Sequence, residues 1–144
     1  MVAKEKIHKI LSEYKDFKIA TICSHSSLQI FRGARQEGVK TIGIVKRDKK
    51  ELYEGFPLGK PDEFLVVDDY ADVPEDELRA RNAIIIPHGT FVEFVGEKFN
   101  SLEVPIYGNR DSIAWERSRD KMFEWLHKAK IKTRQIACVF QPIT

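Results

Sequence analysis

ATICSHSSLQIF, residues 20–31, changes its periodicity partway through. Lys18 to Cys23 is a short apolar run with the β-branched content of a buried strand. Four small or polar residues follow, Ser24, His25, Ser26 and Ser27. Leu28, Phe31 and Ala34 then recur at helical spacing, and Gly38 is placed to close that helix as a left-handed cap. A strand that hands over directly to a helix is the repeating unit of an α/β fold.

The same alternation runs outward in both directions. The first dozen residues predict an amphipathic helix carrying Ile7, Ile10, Leu11 and Tyr14 on one stripe. Thr41 to Val45 and Glu63 to Val67 read as further strands, separated by a polar stretch from Lys46 to Pro61 that reads as a long loop. Pro74 to Arg81 reads as a short helix with proline at its start. Ala83 to Pro87, AIIIP, is the strongest strand signal and leads through HGT into a helical FVEFVGEKF. Val104 to Tyr107 predicts a last strand, and Asp111 to Lys130 a helix with Trp115, Met122, Trp125 and Leu126 as its apolar members. The pattern predicts a Rossmann-like α/β fold: a mainly parallel sheet with flanking helices.

In such folds ligands bind outside the carboxyl ends of the strands. Three polar segments fall on that edge. The first runs from Cys23 through Ser24, His25 and Ser26 to Ser27; the second from Pro87 through His88 and Gly89 to Thr90; the third from Tyr107 through Gly108 and Asn109 to Arg110. Each has a plain reading beside the functional one. Ser26 with Gln29, and Thr90 with Glu93, fit capping boxes that would only satisfy helix donors. An arginine after a Gly-Asn turn is often a solvated surface residue. The functional reading is that amides and hydroxyls at a helix start favour phosphate, with a histidine beside them donating to an anionic or carbonyl oxygen. Gly89 would let backbone approach a ligand closely, and Arg110 would match phosphate with its planar fork.

Composition narrows the classes. The chain has 144 residues, 24 basic against 22 acidic, for a net charge of +2. That balance gives no support to a nucleic-acid or membrane-surface binder. No apolar run approaches the roughly 20 residues a membrane span needs. Cys23 and Cys138 stand far apart, in no metal-ligand spacing, which fits free thiols in a reducing cytoplasm. A Cys23 nucleophile aided by His88 is conceivable, although a cysteine closing a buried strand is ordinarily inert. No G-x-G-x-x-G and no P-loop is written here.

The segments ATICSHSSLQIF, FPLGKPDEFLVVD, NAIIIPHGTFVEFVG, VPIYGNR and WERSRDKMFEWLHKAKIKT together resemble the archaeal formate-dependent FAICAR synthetases (PurP-type) over about residues 5–133. These are ATP-grasp ligases of purine biosynthesis. The resemblance implies a pre-ATP-grasp type domain at residues 1–117 that binds AICAR, and a helix and tail at 118–144 leading toward an ATP-grasp region absent from this chain. It implies formylation of AICAR to FAICAR with ATP and formate, through formyl phosphate. His25 and Thr90 match the family's AICAR-contacting histidine and hydroxyl. No residue of this chain is expected to be catalytic or to hold metal. ATP and Mg belong to the full-length enzyme, which would hold ATP and formate in the missing region, so the chain alone is expected to be inactive. Self-association into a homo-oligomer stays open. The alternative is a short non-catalytic paralogue that binds a phosphorylated metabolite.

Overall fold

A computed structural model describes residues 2–133. Four strands, β1 (Lys18–Ile22), β2 (Thr41–Lys46), β3 (Glu63–Val67) and β4 (Ala83–Ile85), form one sheet in the order β3-β2-β1-β4. Every pairing is parallel; Ala20 lies opposite Ile42 on one side and Ile85 on the other. β1 and β2 are the central pair, and their apolar side chains are almost entirely buried. This is the expected α/β architecture, with a helix between successive strands.

The helices of this first compact unit, residues 1–110, are α1 (Lys4–Glu13), α2 (Ser27–Gln36), α3 (Lys50–Glu54), α4 (Glu75–Ala80) and α5 (Gly89–Val95). Helix α2 buries Phe31 and Ala34, as their spacing requires. Phe31, Cys23, Val45 and Tyr53 form one apolar cluster, with Leu28 and Phe64 packed against it. Phe91 of α5 meets Phe99 edge to face at 5.8 Å, and both are fully buried. Burying rings of this size stabilises the fold by about 1.5–3 kcal/mol each. Gly43 in β2 is required by close approach: a Cβ there would lie 2.7 Å from Cys23 Sγ and from Pro61 Cγ.

Several local expectations change. The stretch from Lys46 to Pro61 is not simply a loop, because a 3₁₀ turn at Arg47–Lys49 runs into α3, which is anchored by buried Tyr53. Helix α5 stops at Val95, since Gly96 takes φ +59° and ψ −136° and the chain continues as a 3₁₀ turn to Asn100. The strand expected at 104–107 shrinks to a single parallel bridge, Ile85 to Ile106. It is still tied to β4 on both sides, by Ile85 N–H to Pro105 O and Tyr107 N–H to Ile85 O.

A second compact unit spans residues 111–144 and is described to Thr133. The helix expected at 111–130 is two helices, α6 (Arg110–Glu116), which begins on the last residue of the first unit, and α7 (Arg119–Lys128). Ser118 makes the break: its backbone is extended and its Oγ accepts from Lys121 N–H, capping α7. Trp115 and Trp125 pack at 6.5 Å, and Lys128 Nζ sits 4.8 Å above the Trp115 ring. Cys138 and the tail that contains it lie outside the described residues.

Candidate functional site

The strand order creates a topological switch point between β1 and β4. The chain passes from β1 through β2 to β3 in one direction, then places β4 on the opposite side of β1. Connections leaving the carboxyl ends of β1 and β4 therefore diverge to opposite faces, which is where open α/β sheets take ligands. Residues 23–27 follow β1 and residues 86–90 follow β4. His25 and His88 both stand on this sheet edge.

Neither turn uses its predicted capping box. Ser26 is the N-cap residue of α2 but has φ −87° and ψ −15°, and its side chain makes no cap bond. A cap needs the extended backbone that swings Oγ over the amides of the first turn. Ser27 closes the turn instead. Its Oγ accepts from Ser24 N–H at 3.0 Å and donates to Ser24 O at 2.6 Å, while its own N–H bonds the same carbonyl. Ser27 is fully buried, so its hydroxyl is committed to the fold. His25, between these serines, is exposed. At the second turn α5 begins at Gly89 with His88 as N-cap, so Thr90 is the second helical residue and not a cap. Glu93 is exposed and lies too far along to complete a box.

His88 carries out a backbone duty with its side chain. In the parallel ladder Ile86 N–H bonds Ala20 O, and the next rung would bring His88 N–H to Ile22 O. The chain has turned away by then, and His88 Nε2 meets Ile22 O at 3.0 Å in its place. Thr21 Oγ1 makes a matching tie, donating to Ile86 O at 2.8 Å. Burial pushes the His88 pKa below its ordinary 6.5; the Ile22 carbonyl opposes this and nearby His25 adds to it.

The third end is built differently. Arg110 donates from one nitrogen to Phe99 O at 2.8 Å and from another to Val104 O at 2.7 Å, with its guanidinium 5.6 Å above the Phe99 ring. It staples the segment 99–110 rather than presenting a free fork. Asn109 beside it is exposed, following Gly108 with φ +100°.

Two polar atoms at these turns are left over. Ser24 Oγ is buried and has no hydrogen-bond partner, and His88 Nδ1 shares that condition. Only the folded arrangement could have revealed them, since pairing is decided by neighbours distant in sequence. Cys23 beside them is 2% exposed, and burial pushes its thiol up to about 12, far from a nucleophile's range. Its carbonyl accepts from Tyr70 Oη at 3.0 Å. Among the described residues no three His, Cys, Asp or Glu side chains group as a metal site needs. The described residues therefore do not fit a magnesium site. No described helix is long and apolar enough to cross a membrane.

Residues 19–137 match the family model described as "Protein of unknown function (DUF1246)". A protein of Methanococcoides burtonii named 5-formaminoimidazole-4-carboxamide-1-(beta)-D-ribofuranosyl 5'-monophosphate synthetase is 51% identical over 94% of this chain and 40% of its own length. A like-named protein of Korarchaeum cryptofilum is 48% identical over 94% of this chain and 39% of its own. The chain thus spans about 40% of the length of these curated relatives. In structure it resembles an IMP biosynthesis protein PurP from Thermococcus kodakaraensis, with TM-score 0.66 and 32% identity, over 78% of this chain and 36% of that one. A pyruvate carboxylase from Rhizobium etli, 18% identical with TM-score 0.59 over 83% of this chain and 13% of its own, shares the fold.

Proposed function

The chain belongs to the family described as protein of unknown function (DUF1246), and from that membership we propose that it is the N-terminal, substrate-holding part of an FAICAR synthetase. Residues 1–117 would bind AICAR, and 118–144 would lead into the remainder of the enzyme. The observation that carries this reading is the switch point between the β1 and β4 ends, which exposes His25 and places Thr90 outside any cap. An exposed histidine and a threonine that is not the helix cap, both at a topological switch point, are well placed to meet a ligand.

In this reading the chain contributes orientation. Formylation requires the AICAR amine to meet activated formate, and holding the nucleotide in one pose turns that encounter into an effectively unimolecular one. His25 can donate to a phosphate or carbonyl oxygen, and the Thr90 hydroxyl can donate or accept. Ser26 and Gly89 line the same turns, whereas Ser27 and Arg110 support them from within the fold. ATP and formate would be handled by the part of the enzyme beyond this chain.

Calorimetric titration of the 144-residue protein with AICAR tests the proposal. Saturable binding that weakens in His25→Ala, with an unchanged melting temperature, is the expected result. Binding that is indifferent to both His25→Ala and Thr90→Ala in folded protein would remove this sheet edge from the substrate site.

A further inference from the structure

Two buried polar atoms at this sheet edge have no partner, His88 Nδ1 and Ser24 Oγ. The state of His88 follows from its one bond. Ile22 O is a carbonyl and can only accept, so Nε2 carries the proton. In the neutral ring Nδ1 is then a bare lone pair, an acceptor and not a donor. Burial favours that neutral form. Ser24 is fixed just as firmly: its N–H and carbonyl are both taken by Ser27, which leaves the hydroxyl alone unused. A buried group without a partner costs about 1–3 kcal/mol. Two of them at the switch point of an α/β sheet mark a place where something else completes the hydrogen bonding.

We propose that His88 Nδ1 accepts from a donor-bearing part of the ligand, an amine, carboxamide or sugar hydroxyl, and not its phosphate, and that Ser24 Oγ, which can donate or accept, completes its hydrogen bonding on the same ligand. The inference rests on the reading of this sheet edge as the AICAR site. A phosphate oxygen offers lone pairs to a lone pair and is repelled by Nδ1. An N–H or O–H completes it. Neither atom touches solvent, so the ligand group must enter the edge rather than rest on it. His25, exposed and carrying the neighbouring charge interaction, is left to face the anionic end.

The two ring nitrogens of His88 can be tested separately on the whole protein. His88→Gln keeps a donor near the Nε2 position for Ile22 O and removes the Nδ1 acceptor. His88→Asn keeps an acceptor near Nδ1 and removes the donor. The expected result is that Gln holds the melting temperature but weakens AICAR binding about tenfold. Asn should lower the melting temperature while keeping affinity within about threefold, measured where it is folded. Ser24→Ala should hold or raise the melting temperature, because it deletes an unpaired hydroxyl, yet weaken AICAR binding about fivefold. Binding of inorganic phosphate should be the same in wild type and all three variants. Nitrogen NMR of the imidazole should show Nε2 protonated in free protein and a Nδ1 shift on adding AICAR.

Wild-type binding of AICAR with equal affinity in His88→Gln and Ser24→Ala overturns this inference alone. A Nδ1-protonated ring overturns it whatever the ligand does. Failure of the wild type to bind AICAR overturns the substrate reading beneath it, and so this inference as well.

Discussion

The two ends of the sheet treat their polar residues in opposite ways. At the amino end, Thr41 and Asp62 form a closed set: Thr41 N–H and Oγ1 both donate to Asp62 Oδ2, at 2.9 and 2.8 Å, and Asp62 N–H donates back to Thr41 Oγ1 at 3.0 Å. Glu63 pairs with Lys18 and Arg81 on the same end. At the carboxyl end, Ser24 Oγ and His88 Nδ1 are buried without partners, and His25 is exposed. Both ends are rich in serine, threonine, aspartate or histidine, so composition does not separate them. What separates these two clusters is whether any bonding capacity is left once the backbone is satisfied; Tyr14 Oη and Asn100 Oδ1 are also buried without a partner. A satisfied end holds strands in register, and an unsatisfied end is where a ligand gains by binding.

The largest effect should come from breaking the satisfied end. Asp62→Ala strands two donors of Thr41, which is 1% exposed, and should cost about 2–4 kcal/mol of stability, or roughly 5–15 °C in melting temperature. AICAR affinity of the folded variant should not move. If affinity fell with stability, the ends would not be functionally distinct. Burial alone would push the Asp62 carboxyl up, but the Thr41 donors and Lys40 together hold it below its ordinary 3.8. Its contribution is therefore present above that value and lost as pH falls through the lowered one.

Arg110 sharpens the comparison from the third strand end. Arg110→Ala should cost about 2 kcal/mol, since two carbonyls lose a charged donor, and should leave AICAR affinity unchanged. A large affinity loss in a folded variant would return Arg110 to the ligand. Thr90→Ala should do the reverse: a weakening of AICAR binding by about 0.5–3 kcal/mol, with little change in unfolding because Thr90 is not the cap.

His88 contributes a smaller, pH-dependent effect. Its folded pKa lies below the unfolded value, so the unfolded chain binds more protons between the two. Stability attributable to the neutral ring is present above about 6.5 and is lost as pH falls through the folded pKa. Denaturation curves at pH 7.5 and pH 5 should differ by less in His88→Gln than in wild type. An identical pH dependence in both would mean that His88 is not held neutral. The smallest effect is chemical: with its thiol near 12, Cys23 should resist alkylation at pH 8 in native protein, and peptide mapping would show any label there.

Strands β1, β2 and β3 were legible as apolar runs: Lys18–Ile22, Thr41–Lys46 and Glu63–Val67 match those runs almost to the residue, even though β3 is an edge strand with Val66 exposed. Helix α3 was hidden by its size, since Lys50–Glu54 buries only Tyr53 and has no period to read. Both capping boxes were present as letters but not as geometry. Ser26 has the wrong backbone for a cap, and α5 starts two residues earlier than a Thr90 cap requires. Arg110 looked like a phosphate ligand because its carbonyl partners, Phe99 O and Val104 O, lie on a segment whose turn no periodicity describes. The position of Ser24 and His25 just after β1 was legible from the strand-to-helix handover. The unpaired state of the Ser24 hydroxyl was not, because lacking a partner is a property of the fold.

The most direct measurement is amide chemical-shift mapping of the protein titrated with AICAR. The account predicts saturable shifts concentrated in residues 23–27 and 86–91, with Thr41, Asp62 and Glu63 unmoved. The contradicting result is a saturable response centred elsewhere. An example is the apolar groove of about 450 Å³ lined by Leu28, Gln29, Arg32, Phe56, Pro57, Leu58 and Gly59, with the β1 and β4 ends silent.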